Sequence, residues 1–253
     1  MHRKIWACIA AIFLLALRCA AQTPAAVPIT SEQHHHLALQ NEYVRLFEVE
    51  VPPHQSTLLH QHDYDYIYIA IGDAQFTNIL PGKAPAAIRM ADGDIHFSRG
   101  GFAHLARNDA NTPFRNVTIE LLRPQGAVRN LCKQIVAGAP DAKADCPDAA
   151  SNQYFARWPQ FETDEIRASL VRLDPHIKVD FRFLKDHPES SVPREWLILA
   201  VNPIVIKTNL KGARHKNLKP GEFLWTTQPD FASVENPRNE PVQYYLLEFS
   251  LKK

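Results

Sequence analysis

Residues 60–72 read His60-Gln61-His62-Asp63-Tyr64-Asp65-Tyr66-Ile67-Tyr68-Ile69-Ala70-Ile71-Gly72, and most of the architecture follows from them. Side chains alternate along a strand, so Asp65, Ile67, Ile69 and Ile71 share one face while Tyr66, Tyr68 and Ala70 share the other. The apolar face points to an interior, into which Asp65 would also be aimed at a cost unless it is paired. Gly72-Asp73 ends the run as a turn. Outward from it, turn chemistry recurs at Pro52-Pro53, Pro81-Gly82, Asp92-Gly93 and Pro220-Gly221, between β-rich runs such as Val117-Thr118-Ile119 and Tyr244-Tyr245-Leu246-Leu247. With 19 Pro and 9 Gly in 253 residues, the composition fits short strands joined by tight loops rather than a helix bundle.

The chain is written twice. Val44-Arg45 is matched by Ile166-Arg167 and Pro53-His54 by Pro175-His176. Gly93, Asn108, Pro113 and Glu120 are matched by Gly221, Asn236, Pro241 and Glu248, all four at a constant offset. Residues 65–71 parallel residues 195–201, with Glu195 opposite Asp65. Residues 137–151 are small, polar and proline-bearing, as expected of a linker. The expected organisation is a leader over 1–21, a first β unit over 22–136, the linker over 137–151 and a second β unit over 152–253.

The first unit carries the chemistry. His60 and His62 lie two apart on a strand, so both imidazoles reach one side. Asp65 follows, and His104 stands between Gly101 and Asn108. Three imidazoles and a carboxylate suit a divalent transition metal such as Fe, Mn, Zn, Ni or Cu, with positions left for substrate. In their spacing, His60, His62, Asp65 and Gly72 resemble the first motif of the cupin family. Gly93, Gly101, His104 and Asn108 resemble its second, with Arg99 at the place of a proline. The departures are His54 at the opening glycine, a loop one residue shorter, and Asp in place of Glu.

The resemblance implies an all-β protein of two tandem jelly-roll barrels, a bicupin. It also implies one metal held by His60, His62, His104 and Asp65, with Asp65 as fourth ligand or acid–base partner. Cupins include dioxygenases, isomerases and decarboxylases, so the implied function is a metalloenzyme acting on a small molecule. The alternative is a non-catalytic cupin that holds a small ligand. Arg99 is the candidate clamp for a substrate carboxylate.

The second unit keeps the frame and loses the ligands: Ser190, Val192 and Ala232 stand where His60, His62 and His104 stand in the first. His176 and His187 read as surface residues. His34-His35-His36 reads as a solvated arm, since three adjacent imidazoles cannot share one strand face. Tyr66 and Tyr68 are expected to pack against a neighbouring sheet.

His2-Arg3-Lys4, the apolar run from Ile5 to Leu17 and Cys19-Ala20-Ala21 form the layout of a secretory signal peptide cut after Ala21. The mature chain is then exported, to a bacterial periplasm, with no membrane partner after cleavage. Cleavage removes Arg3, Lys4 and Arg18 and no acidic residue, taking the formal charge from +1 to −2, which excludes a nucleic-acid partner driven by charge. It also leaves only Cys132 and Cys146, which are expected to pair in an oxidising compartment. Edge-strand pairing would allow a homodimer.

Overall fold

The structure, a computed structural model, describes residues 25–132, 135–136, 139, 150–151, 154–180, 194–208, 215–227 and 231–250. The first unit comprises β1 (Val27–Pro28), β2 (His35–Gln40), β3 (Val44–Val51), β4 (His60–His62), β5 (Tyr66–Ala70), β6 (Ala74–Ile79), β7 (Ala86–Met90), β8 (Ile95–Ser98), β9 (Phe102–Asn108) and β10 (Phe114–Leu121). These make two five-stranded sheets, ordered β1-β4-β9-β6-β7 and β2-β3-β10-β5-β8. Pairing is antiparallel except for β1 beside β4. The two sheets face one another as a jelly roll around Phe47, Val49, Val51, Ala70, Phe76, Met90 and Phe114.

The second unit comprises β11 (Arg129–Asn130), β12 (Ala150–Ser151), β13 (Phe155–Glu162), β14 (Ile166–Leu173), β15 (Lys178–Asp180), β16 (Arg194–Ala200), β17 (Ile204–Thr208), β18 (His215–Leu218), β19 (Phe223–Thr227), β20 (Phe231–Glu235) and β21 (Val242–Ser250). One sheet holds seven strands and the other four. β11 and β12, on either side of the connection between units, both pair with β13.

The internal repeat extends to single atoms. Asn108 Nδ2 donates to the carbonyls of Val51, Pro52 and Thr112, and Asn236 Nδ2 donates to those of Leu173, Asp174 and Glu240. His54 and His176 share a φ of 59° and each bonds an asparagine through Nε2, Asn111 and Asn239 respectively. In both units the arginine of one strand faces the glutamate of the next in register, Arg45 with Glu120 and Arg167 with Glu248.

The isoleucine face of β5 is not the barrel interior. Ile67, Ile69 and Ile71 pack with Val117 and Ile119 of β10 against Phe161, Leu197, Leu199, Val201 and Leu247 of the second unit. Tyr66, Tyr68 and Ala70 point inward instead. Alternation alone could not say which face is interior, because packing sheet on sheet buries both. The second barrel covers the outer face of the first, and each buried Leu or Ile there contributes ~1.5–3 kcal/mol. Two matched glycines sit in this contact: a Cβ on Gly93 would lie 2.9 Å from Val201 Cγ1, and one on Gly221 3.5 Å from Ile71 Cγ1.

Candidate metal centre

Register assembles the centre. β4 and β9 pair antiparallel with His60 directly opposite His104, and directly opposed residues share a sheet face. His62, two residues from His60, joins them. The three rings lie 4.6–5.1 Å apart between centroids, and one nitrogen from each falls within 4.8 Å of the others. His60 and His62 are almost fully buried.

Two of the three Nδ1 atoms are held from behind. His60 Nδ1 donates to Leu58 O at 2.9 Å, and His104 Nδ1 to Asn78 Oδ1 at 2.7 Å. His62 Nδ1 lies 3.8 Å from Glu120 Oε1. This leaves the Nε2 atoms turned inward. His62 Nε2 and His104 Nε2 are 3.1 Å apart, and the buried His60 Nε2 has no hydrogen-bond partner. Burial first, then the neighbouring imidazoles, lowers all three pKa values: His60 to about 4, His104 to about 3, and His62 well below the ordinary histidine range. Three neutral imidazoles whose Nε2 atoms converge, two of them oriented by oxygen acceptors at Nδ1, fit a divalent transition metal.

Asp65 does not join them. Its carboxylate accepts from Arg99 Nη1 at 2.7 Å and from Gly100 N at 3.0 Å, while Arg99 Nη2 donates to Gly126 O. The reason is parity: Asp65 shares the Ile67 face, which turns away from the cavity. Arg99, expected as a substrate clamp, is spent on this same lock and does not line the cavity.

The carboxylate beside the triad belongs to Glu120. It is fully buried, with Oε2 3.0 Å from Arg45 Nη2. Burial outweighs the Arg45 charge and pushes its carboxyl up to about 7. Its signal was present in the sequence: on β10, Asn116, Thr118 and Glu120 alternate with Val117, Ile119 and Leu121, giving a polar stripe on a strand buried on both faces.

His35 also reaches the cavity, contrary to the expectation of a solvated arm. β2 pairs His35 with the inward-facing Val49, so this one histidine of the three turns in, and its side chain is only 6% exposed. The cavity is about 50 Å³, lined by the four histidines, by Tyr66, Tyr68, Asn78, Thr57, Asn116 and Thr118, and by apolar groups. Tyr66 stacks on His62 at 3.9 Å between centroids.

In the second unit, His176 is a surface residue bonded to Asn239, and Ala232 lies on β20. Ser190, Val192 and His187 lie outside the described residues, as do Cys146 and the leader. Among the described residues no other histidine, cysteine or carboxylate cluster of this kind occurs, and no helix is long and apolar enough to cross a membrane.

No protein-family model matches the chain, and no curated protein matches it. Solved structures do. AerE from Microcystis aeruginosa is 11% identical over 86% of this chain and 97% of its own, with a TM-score of 0.54. Vicilin from Solanum lycopersicum is 10% identical over 82% of this chain and 75% of its own, with a TM-score of 0.52. Procruciferin, an 11S globulin from Brassica napus, is 10% identical over 83% and 77%, with a TM-score of 0.51. At such identities the likeness concerns fold alone. Two jelly-roll barrels written from one repeated unit, packed sheet on sheet, give this chain a bicupin-like, all-β fold.

Proposed function

We propose that the first barrel holds one divalent transition metal on His60, His62 and His104 and serves as a small-molecule metalloenzyme of dioxygenase or isomerase type. The observation that carries this reading is His60 Nε2, buried and without a partner at the point where the other two Nε2 atoms converge. Three protein ligands leave coordination positions for substrate, as catalytic sites do. Bound there, the metal supplies a Lewis acid and, if redox-active, an electron path to oxygen.

The chain's own residues do the rest. Leu58 O and Asn78 Oδ1 fix the tautomers of His60 and His104. Glu120, with its carboxyl pushed up to about 7, stands behind His62 with Oε1 3.8 Å from Nδ1, where it can share a proton with that ring. Tyr66, Phe76 and Phe114 line the approach to the centre and restrict bulk water there. The proposal includes export after cleavage behind Ala21, with Cys132 and Cys146 joined.

Metal analysis of protein purified from its native compartment tests it, followed by oxygen uptake and product analysis over a substrate panel. One tightly held equivalent with turnover supports the enzyme. Tight retention of a small ligand without turnover would assign the ligand-binding alternative, and a metal-free protein would refute both.

A further inference from the structure

Resting on that metal-site reading, we propose that Tyr68, Asn116 and Thr118 form a substrate-binding wall opposite the three histidines, which takes an uncharged carbonyl or hydroxyl oxygen of a ligand anchored at the metal. Position comes first. The histidines stand on β4 and β9 of one sheet, Asn116 and Thr118 on β10 and Tyr68 on β5 of the other, and all of them line the same cavity. Thr118 lies directly opposite Tyr68 in the β10–β5 pairing. Orientation comes second. Thr118 Oγ1 donates to Asn116 Oδ1 at 2.8 Å, which commits the amide oxygen and leaves Nδ2 as a donor. Asn116 is 6% exposed, and among the described residues its Nδ2 has no hydrogen-bond partner. The Tyr68 ring is stacked on His96 at 5.1 Å between centroids, and its hydroxyl likewise has no partner among the described residues.

The internal repeat supplies the control. Asn116 is flanked by Val49 and Ala70, and Tyr244 in the second barrel by the matching Val171 and Ala200. By the same register Thr118 and Tyr68 correspond to Leu246 and Ile198, and all three counterparts are packed into the core of the second barrel. The fold therefore does not require an amide at Asn116 or hydroxyls at Thr118 and Tyr68. A buried donor without a partner opposes folding, so its presence only in the barrel that carries the histidines points to a ligand there. No lysine, arginine, aspartate or glutamate lines the cavity. The wall thus offers two uncharged donors, Asn116 Nδ2 and Tyr68 Oη, to an uncharged oxygen, and no cation to balance a second carboxylate.

The test titrates Co(II)-loaded mature protein with levulinate, 4-methylpentanoate and succinate, read by the cobalt absorption bands. The three share one carboxylate and one chain and differ only at the far carbon, which is a ketone, a methyl-branched carbon or a second carboxylate. The wild type is expected to bind levulinate about tenfold more tightly than the other two, the worth of one hydrogen bond. Asn116→Leu and Tyr68→Phe should each reduce that preference while keeping one equivalent of Co(II). Three results would overturn the proposal and leave the metal reading standing: no levulinate binding by the wild type, equal binding of levulinate and 4-methylpentanoate, or a preference that survives in the double variant Asn116→Leu/Tyr68→Phe. Failure of the wild type to hold Co(II) would overturn both. A second measurement needs no ligand. Asn116→Leu/Thr118→Val replaces both bonded partners with apolar groups, and the metal-free variant is expected to melt at or above the wild-type temperature. A lower melting temperature would assign the pair a structural role instead.

Discussion

His62 Nε2 and His104 Nε2 stand 3.1 Å apart, although their residues are 42 positions apart in the chain. Two like groups are held at that distance by what lies behind them: Asn78 Oδ1 fixes the His104 ring and the Tyr66 ring lies flat on His62. A site preorganised this way loses little entropy when an ion enters.

One metal per mature chain is the first expected outcome. Inductively coupled plasma analysis should find one equivalent in the wild type and none in folded His60→Ala or His104→Ala, with no change in His176→Ala or His187→Ala. Two equivalents would mean that the second barrel also binds.

Asn78→Ala should fold and still bind, but about 10–100-fold more weakly, because the His104 ring loses its only fixed acceptor. Competition with a coloured chelator measures this. Unchanged affinity would show that packing alone orients the ring.

Asp65→Ala should retain full metal content. The exposed Arg99 partner is worth little, but Gly100 N loses its acceptor, so a cost of about 1–2 kcal/mol is expected in urea unfolding. Loss of metal with stability intact would put Asp65 back at the centre.

Gly93→Ala should destabilise the interface between barrels by about 2 kcal/mol or more. The residue has a φ of 78°, and the new methyl would meet Val201 Cγ1 at 2.9 Å. Gly221→Ala has a similar φ but more room against Ile71, and should cost less. Adding Val201→Ala should recover part of the loss in Gly93→Ala but none in Gly221→Ala, read as melting temperatures.

The Glu32 carboxyl predicts an acid limb in stability. Burial raises its pKa, but hydrogen bonds from His35, Leu58 N and His34 N outweigh burial and hold it at about 2 against a reference of 4.5. A depressed carboxylate pKa stabilises the fold above the unfolded value. That contribution, roughly 3 kcal/mol, is lost as pH falls from about 4.5 through about 2. Metal-free Glu32→Gln should show a flatter profile over that window than metal-free wild type.

Much of this molecule was legible in its residues. The repeat, the β class, the sharing of one face by His60 and His62, and the absence of ligands at Ala232 follow from spacing and side-chain type. Asp65 misled because a strand buried on both faces shows the same period whichever side is interior. Glu120 was visible as a repeat landmark, but its place beside His62 needed the pairing of β10 with β5.

Sequence by itself determined the local content of this protein: two copies of one strand pattern, three histidines at metal-binding intervals in one copy, and turns where glycine and proline require them. Tertiary structure decided what those residues face. The register of β4 on β9 opposes His60 and His104, pairing of β2 with β3 turns His35 inward, and the second barrel claims the isoleucine face, while Asp65 is held by Arg99 and Gly100. The reason is physical: alternation is a property of one strand, whereas interior and exterior exist only once sheets have packed.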